Sequence, residues 1–87
     1  MKVLIPGLLR SYTAGVDTVV LAEHATLDAA LRDLNALYPG LRFRVVDEQD
    51  AIRPHIKMFV DGKLARRLDT SLAGSAELMI VGALSGG

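Results

Sequence analysis

The sequence predicts an α+β fold in which a mixed sheet of four to five strands packs against one main helix. Runs of alternating or β-branched residues typical of strands lie near both ends of the chain, at residues 1–5, 17–21, 56–60 and 77–81. Only residues 26–38 have a strong helical pattern. A single helix with one apolar stripe must cover an apolar surface, and a sheet is its natural partner.

Composition sets the limits on what the chain does. Its 87 residues suffice for one small domain, and with 51% hydrophobic but 5% aromatic residues the core must be aliphatic. Ten basic and ten acidic residues cancel, so no charge pattern favours nucleic acid or a membrane surface. The absence of cysteine excludes disulfides, thiolate zinc sites and a thiol nucleophile. Without a membrane-length apolar run or a signal-peptide pattern, we expect a cytoplasmic protein.

The first two strands are predicted to form an N-terminal β-hairpin. Val3 and Ile5 would face the core while Lys2 and Leu4 face outward, as in a half-buried strand. Residues 17–21 are rich in β-branched side chains and return alongside. The loop between the strands is longer than a tight two-residue turn, so the pattern leaves their register open.

The main helix is predicted over residues 26–38. Thr26 is a good N-cap, and Asp28 stands in the first turn, where the helix dipole favours an acid. Pro39 disfavours helical geometry in the residue before it and ends the helix. The apolar positions at helical spacing are Leu27, Ala30, Leu31, Leu34, Leu37 and Tyr38.

The second half of the chain predicts an irregular stretch and then three strands. Residues 41–45 alternate like a strand, but a short helix fits equally well, and residues 47–50 form an acidic, solvated loop. Residues 56–60 are the clearest strand, Asp61-Gly62 is a turn signal, and residues 63–66 return as a short strand.

These elements together predict a β-grasp arrangement. The last strand covers residues 77–81 and would lie parallel to the first strand at the centre of the sheet. A split βαβ sandwich would need a second full helix, which the pattern lacks. We therefore expect a β-grasp domain over residues 1–81 and a C-terminal tail over residues 82–87.

The predicted tail combines small residues with a diglycine end. It carries no bulky ring and no charge except the terminal carboxylate. Glycine has no β-carbon, so a flexible tail of this kind can enter a narrow channel in another protein, and six residues extend about 20 Å. The alternative is a flexible terminus without a function. The tail residues are Gly82, Ala83, Leu84 and Ser85, followed by Gly86 and Gly87.

Fragments in the expected order carry a family resemblance. They are Ile5-Pro6 after the first strand, Thr26-Leu27 with Ala30-Leu31 opening the helix, Tyr38-Pro39-Gly40 closing it, Met58-Phe59-Val60-Asp61-Gly62 in the hairpin, and Gly86-Gly87 at the end. Over nearly its whole length the chain resembles the ubiquitin-like sulfur carriers of the MoaD/ThiS type. These include the thiamin-pathway carrier, the small subunit of molybdopterin synthase and a carrier for cysteine biosynthesis.

Two positions depart from that family pattern. The turn before the last strand reads Ala73-Gly74-Ser75-Ala76, where relatives often carry acids around a glycine. Gly82 stands where relatives often have a proline. We expect this second difference to make the tail more mobile, so that its docking costs more ordering entropy.

The resemblance implies chemistry that other proteins perform on Gly87. An adenylating enzyme similar to ubiquitin-activating enzymes would join its carboxylate to AMP from ATP, and a sulfur donor would displace AMP to leave a thiocarboxylate. A biosynthetic synthase would accept the sulfur. The chain would then be a protein cosubstrate, monomeric when alone, with no catalytic residues and no bound cofactor, since the partner uses the ATP.

Strand alternation predicts the surface on which such partners dock. If Val3, Met58 and Ile80 face the helix, the residues beside them in each strand face outward. An apolar cluster on the sheet face near the tail is typical of a binding site, although single exposed apolar residues are ordinary. The predicted docking residues are Leu4, Lys57, Phe59, Met79 and Val81.

Three alternatives to a free sulfur carrier stay open. They are the small subunit of molybdopterin synthase, a ubiquitin-like modifier joined to lysines through Gly87, and a β-grasp binding module with an incidental diglycine. Residues 41–55 look like those of the longer carriers, including cysteine-pathway and secondary-metabolite members. His24 and His55 are the only histidines, and without cysteines or a spaced acidic ligand set they predict no metal site.

Overall fold

The computed structural model describes residues 1–82. In chain order its elements are β1 (Lys2–Leu4), β2 (Thr18–Val20), α1 (Leu27–Leu37), α2 (Leu41–Val45), β3 (Ile56–Val60), β4 (Lys63–Ala65) and β5 (Glu77–Gly82). The five strands form one sheet in the order β2-β1-β5-β3-β4. Strands β1 and β5 pair in parallel, and the other neighbours are antiparallel. This confirms the predicted β-grasp fold, with the first and last strands side by side.

Helix α1 begins as its sequence predicts. Thr26 is the N-cap, and its Oγ1 accepts a hydrogen bond from the Ala29 amide at 3.2 Å. The residues of α1 buried against the sheet are Leu27, Ala30, Leu31 and Leu34. The assignment of Leu37 to the same stripe was wrong, because α1 ends at this residue, which is 54% exposed, while the half-buried Tyr38 packs on the core instead.

The ambiguous residues 41–45 are the short helix α2. Gly40 precedes it with φ of 94°, a left-handed conformation that reverses the chain after α1. The Asn35 side-chain oxygen accepts hydrogen bonds from the amides of Gly40 and Arg42, each at 3.1 Å. Leu41 and Val45 are buried, so α2 closes the core beside α1.

A tight turn joins β3 to β4 and also fastens the start of β5. Asp61 and Gly62 both have positive φ, 47° and 83°, as a type I′ hairpin turn requires. The Asp61 carboxylate accepts hydrogen bonds from the amides of Ala76 at 3.1 Å and Glu77 at 2.9 Å. The turn that the sequence predicted therefore also has a long-range role.

The core between sheet and helices is aliphatic, as the composition predicted. Its largest fully buried side chains include Leu9, Leu34, Met58 and Leu78. Thr13 is also fully buried, and its hydroxyl donates a hydrogen bond to the Val16 carbonyl at 2.7 Å. Neither helix within residues 1–82 is long and apolar enough to cross a bilayer.

Candidate functional site

The outer face of the sheet, opposite the helices, carries the residues predicted to dock a partner. In β3, Lys57 is exposed and Phe59 half-buried, while their strand neighbours are buried. In β5, Met79 is half-buried between the buried Leu78 and Ile80, and Val81 is exposed. Leu4 is half-buried at the end of β1. The five side chains therefore lie on one face.

The strand registers bring these five residues together. Met79 of the central strand β5 stands opposite Leu4 on one side and Phe59 on the other. Val81 stands opposite Lys57 in the next outward-facing row. In the antiparallel β3–β5 pair, directly opposed residues on one face have β-carbons about 4.5–5.5 Å apart, so Phe59 and Met79 are in contact range, as are Lys57 and Val81.

One member of this surface was missed by the sequence analysis. Leu64 of β4 pairs with Phe59, is 40% exposed and extends the apolar row to the sheet edge. The signal for it was present, because a two-residue Asp61-Gly62 turn places Val60 opposite Lys63 and hence Phe59 opposite Leu64. We call the six residues Leu4, Lys57, Phe59, Leu64, Met79 and Val81 the outer-sheet patch.

The outer-sheet patch lies between an ion pair where β5 begins and Gly82 where β5 ends. Lys2 Nζ lies 3.5 Å from Glu77 Oε2 where β1 and β5 begin. Such exposed ion pairs contribute little to stability. At the opposite end, Val81 precedes Gly82 in β5 and stands opposite Lys57 of β3, so both lie beside the point where the predicted tail starts. A partner that takes up the tail would meet Val81 and Lys57 first.

Gly82 joins the outer-sheet patch to the predicted tail. It is the last residue of β5 and stands opposite Ile56, so the strand runs one residue further than the end at Val81 that the sequence predicted. Our expectation of a loose chain after Val81 therefore does not apply to Gly82. The other tail residues, Ala83, Leu84 and Ser85, and the terminal Gly86 and Gly87 lie outside the described residues.

The histidines take part in no cluster of metal-binding type. His24 Nε2 lies 2.8 Å from Asp33 Oδ2, a contact between the loop after β2 and helix α1. His55 is half-buried immediately before β3. Within residues 1–82 there is no group of three or more histidine, cysteine or acidic side chains placed to hold a metal ion.

A groove of about 710 Å³ lies on the helix side, away from the outer-sheet patch. Four of its five charged side chains are paired: Arg42 Nη2 is 2.7 Å from Asp28 and 3.3 Å from Asp50, and Arg67 is 2.8 Å from Asp69. The fifth, Arg66, is exposed. In the described part of the chain, no buried side-chain polar atom lacks a hydrogen-bond partner. The groove therefore holds no buried polar side chain that awaits a ligand, and Arg66 is its exposed cation.

The pKa shifts on the helix side reflect this pairing. Burial by itself raises the pKa of Asp28, but hydrogen bonds from Arg32 and Arg42 outweigh it and hold that pKa below its ordinary value. Burial by itself lowers the pKa of Arg42, but the hydrogen bonds that its guanidinium donates to Asp28 and Asp50 outweigh burial and raise that pKa above its ordinary value. These charges join α1 to α2 and are structural.

Comparisons with known proteins point to one family. The model of the ThiS family matches residues 3–87. The sulfur carrier protein CysO of Mycobacterium tuberculosis is 32% identical over 92 residues, which span 100% of this chain and 98% of the relative.

Two solved structures extend the comparison to the fold. The Amycolatopsis orientalis BexX/CysO complex contains a chain that is 28% identical with a TM-score of 0.85, and the match covers 99% of this chain and 98% of that one. Small archaeal modifier protein 1 of Haloferax volcanii is 27% identical with a TM-score of 0.79, and the match covers 97% of each chain.

Proposed function

Because this chain belongs to the ThiS family, we propose that it is a sulfur carrier, a protein cosubstrate whose C-terminal Gly87 bears the sulfur. The observation that carries the proposal is the end-to-end match with the sulfur carrier CysO of M. tuberculosis. A match confined to the sheet and helix would support the fold alone, whereas this one spans the whole chain, including Gly86-Gly87.

The proposed chemistry requires activation of a carboxylate. A carboxylate is a poor electrophile at neutral pH, so a partner enzyme first uses the Gly87 oxygen to attack the α-phosphorus of ATP, releasing pyrophosphate. A hydrosulfide-type donor then attacks the acyl carbon of the mixed anhydride, AMP leaves, and Gly87 ends as a thiocarboxylate. The carrier needs no cysteine of its own, which agrees with its composition. We place the reaction in the cytoplasm, where ATP is available.

The outer-sheet patch is the surface on which we propose that the activating enzyme docks. Its end at Val81 and Lys57 adjoins Gly82, so a partner seated there lies next to the start of the tail. Its central residues, Met79 and Phe59, are only half-buried in the free chain and have apolar area left to bury. A CysO relative has been crystallised in a complex with BexX, which supports a carrier that works by binding partner proteins.

A second candidate function is protein modification through Gly87. The similarity to small archaeal modifier protein 1 favours it, because that protein is named as a modifier and matches over nearly the whole chain. In this case the activated Gly87 would form an amide with a lysine of a target protein. Both candidates share the activated terminus and differ in the acceptor.

The test is the intact mass of the chain after incubation with ATP, a candidate activating enzyme and sulfide. We expect the mass increase for replacement of one oxygen by sulfur in the full chain, and none after deletion of Gly87 or when ATP is omitted. A covalent adduct with a lysine of another protein would put the modifier function first. Sulfur transfer seen only with a molybdopterin synthase large subunit would identify the chain as the small subunit of that enzyme.

The absence of any Gly87-dependent mass change with activating enzymes of several sulfur-carrier systems would contradict both candidates. The diglycine would then be incidental to a β-grasp binding module. Because the assay reads the mass of the carrier itself, it does not depend on knowing the final acceptor. Once a thiocarboxylate has formed, candidate synthases can be added one at a time to find the acceptor pathway.

A further inference from the structure

The loop after β1 forms a compact hydrogen-bonded unit next to the end of β5. It opens with a single 3-10 turn, Gly7–Leu9, in which the Leu9 amide donates to the Pro6 carbonyl at 3.0 Å. Leu9 is completely buried, and the Arg10 carbonyl accepts the Gly15 amide at 2.8 Å. The turn is therefore held in place by the core on one side and by the rest of the loop on the other.

Leu8 points from this turn onto Gly82. A β-carbon built on Gly82 would overlap the Leu8 Cδ2 methyl, and it would lie 3.2 Å from Leu8 Cγ and 3.7 Å from Ile56 Cδ1. The Leu8 side chain thus occupies the space that any residue other than glycine would fill at this position. Gly82 does not have the positive φ of Gly40 and Gly62, so a side chain at this position would have to displace the Leu8 methyl and would meet no strained backbone conformation.

The pairing of β5 shows why this contact matters. Pairing with β1 stops at Met79, which stands opposite Leu4. Within residues 1–82, the stretch from Ile80 to Gly82 has a strand partner on the β3 side alone, and Gly82 stands opposite Ile56, the first residue of β3. A strand end paired on one side is prone to fray. Leu8 packs against Gly82 beyond the end of the β1–β5 pairing, so it supports the last β5–β3 pair, Gly82 and Ile56.

We propose that Leu8 is a positioning residue, which holds Gly82 in the sheet and so gives the tail a fixed point of departure. The inference rests on the proposed function, because the positioning matters for a tail that must enter a partner's active site. A carrier whose Gly82 is already ordered loses no backbone conformational entropy at this residue when it docks. A carrier without the Leu8 contact must order Gly82 when it binds, which weakens binding without changing the chemistry at Gly87.

The test combines backbone dynamics with kinetics. In Leu8→Ala, ¹⁵N relaxation should show Gly82 becoming mobile on the fast timescale, while the rest of β5 stays ordered. The KM for the carrier in adenylation should rise about five- to thirtyfold, the equivalent of ordering one residue's backbone on docking, with kcat unchanged. Leu37→Ala is the matched control, because it removes another exposed leucine, on α1, and should alter neither Gly82 relaxation nor KM.

A second substitution separates packing from general damage. Gly82→Ala should by itself displace Leu8 and raise KM, since the new methyl overlaps Leu8 Cδ2. In the Leu8→Ala background the space is free, and replacing glycine by alanine reduces the freedom of the chain. There the same substitution should lower KM and restore order at residue 82. Its effect is therefore expected to have opposite signs in the two backgrounds.

The outcomes distinguish this inference from the proposed function. Unchanged Gly82 relaxation in Leu8→Ala would overturn the role of Leu8, and so would increased mobility with no change in KM. An identical effect of Gly82→Ala in both backgrounds would also count against the contact. If the wild-type chain is not adenylated at all, the proposed function fails, while the relaxation comparison still decides whether Leu8 holds Gly82.

Discussion

Replacement of Phe59 by aspartate is expected to weaken activation of the carrier without unfolding it. Phe59 lies in the middle of the outer-sheet patch, between Met79 and Leu64. It is half-buried, so docking would bury roughly the other half of its side chain, a gain of about 1 kcal/mol. Placing a carboxylate against an apolar partner surface adds a desolvation cost of about 1–2 kcal/mol.

These two contributions give a total loss of about 2–3 kcal/mol, which corresponds to a rise in KM of roughly 30- to 150-fold. The cost to folding is smaller, because the substitution removes two cross-strand contacts worth about 0.2–1 kcal/mol each. A domain of 87 residues has a free energy of unfolding of roughly 4–13 kcal/mol. The variant should therefore remain folded and lose affinity for its partner.

The assay is ATP–pyrophosphate exchange by the activating enzyme at varied carrier concentration, with thermal unfolding followed by circular dichroism. The chain offers a matched control in Phe43→Asp, because Phe43 is the only other phenylalanine and is 53% exposed on α2. Phe43→Asp should leave KM unchanged. An unchanged KM in Phe59→Asp, or unfolding in parallel with the loss of activation, would refute a docking role for the outer-sheet patch.

Two further predictions concern the stability of the domain that presents the tail. Asp28→Asn should lower the free energy of unfolding by about 1–2 kcal/mol at neutral pH, because Asp28 accepts charged hydrogen bonds from Arg42 and Arg32. The pKa of Asp28 is held below its ordinary value, so this stabilisation is fully present above the ordinary pKa and is lost as the pH falls through the folded-state pKa. In denaturant unfolding, the free energies of unfolding of the wild type and Asp28→Asn should therefore converge at acidic pH. Thr26→Ala should cost about 1 kcal/mol in the same measurement through loss of the N-cap bond to Ala29, whereas Thr26→Ser should restore most of it. A pH-independent difference for Asp28→Asn, or equal losses in the two Thr26 variants, would contradict these assignments.

Much of the fold follows from patterns that act over a few residues. Thr26 with the apolar spacing after it is sufficient for the start of α1, because capping and helical periodicity depend on near neighbours. The Asp61-Gly62 turn determines the pairing of β3 with β4 in the same way. Alternation along strands also placed Phe59 and Met79 on the outer face, since successive side chains point to opposite sides.

Other features depend on how distant segments meet. Residues 41–45 carry a pattern that suits either a strand or a helix, and the helix forms because Leu41 and Val45 can close the core beside α1. Leu37 fits the helical stripe but is the exposed last residue of α1, and Tyr38 after it packs on the core. Neither the packing of α2 nor the exposure of Leu37 can be predicted from the residues close to them in the chain.

The sequence by itself determined the helix, the second hairpin and the faces of the strands, together with the family resemblance that directs attention to Gly87. Only the tertiary structure decided that Leu8 packs on Gly82, and that Arg42 joins α2 to Asp28 of α1. Capping, turns and alternation are settled between residues close in the chain. Packing between Leu8 and Gly82 joins residues from opposite ends of it, and it exists only once β1 and β5 lie side by side.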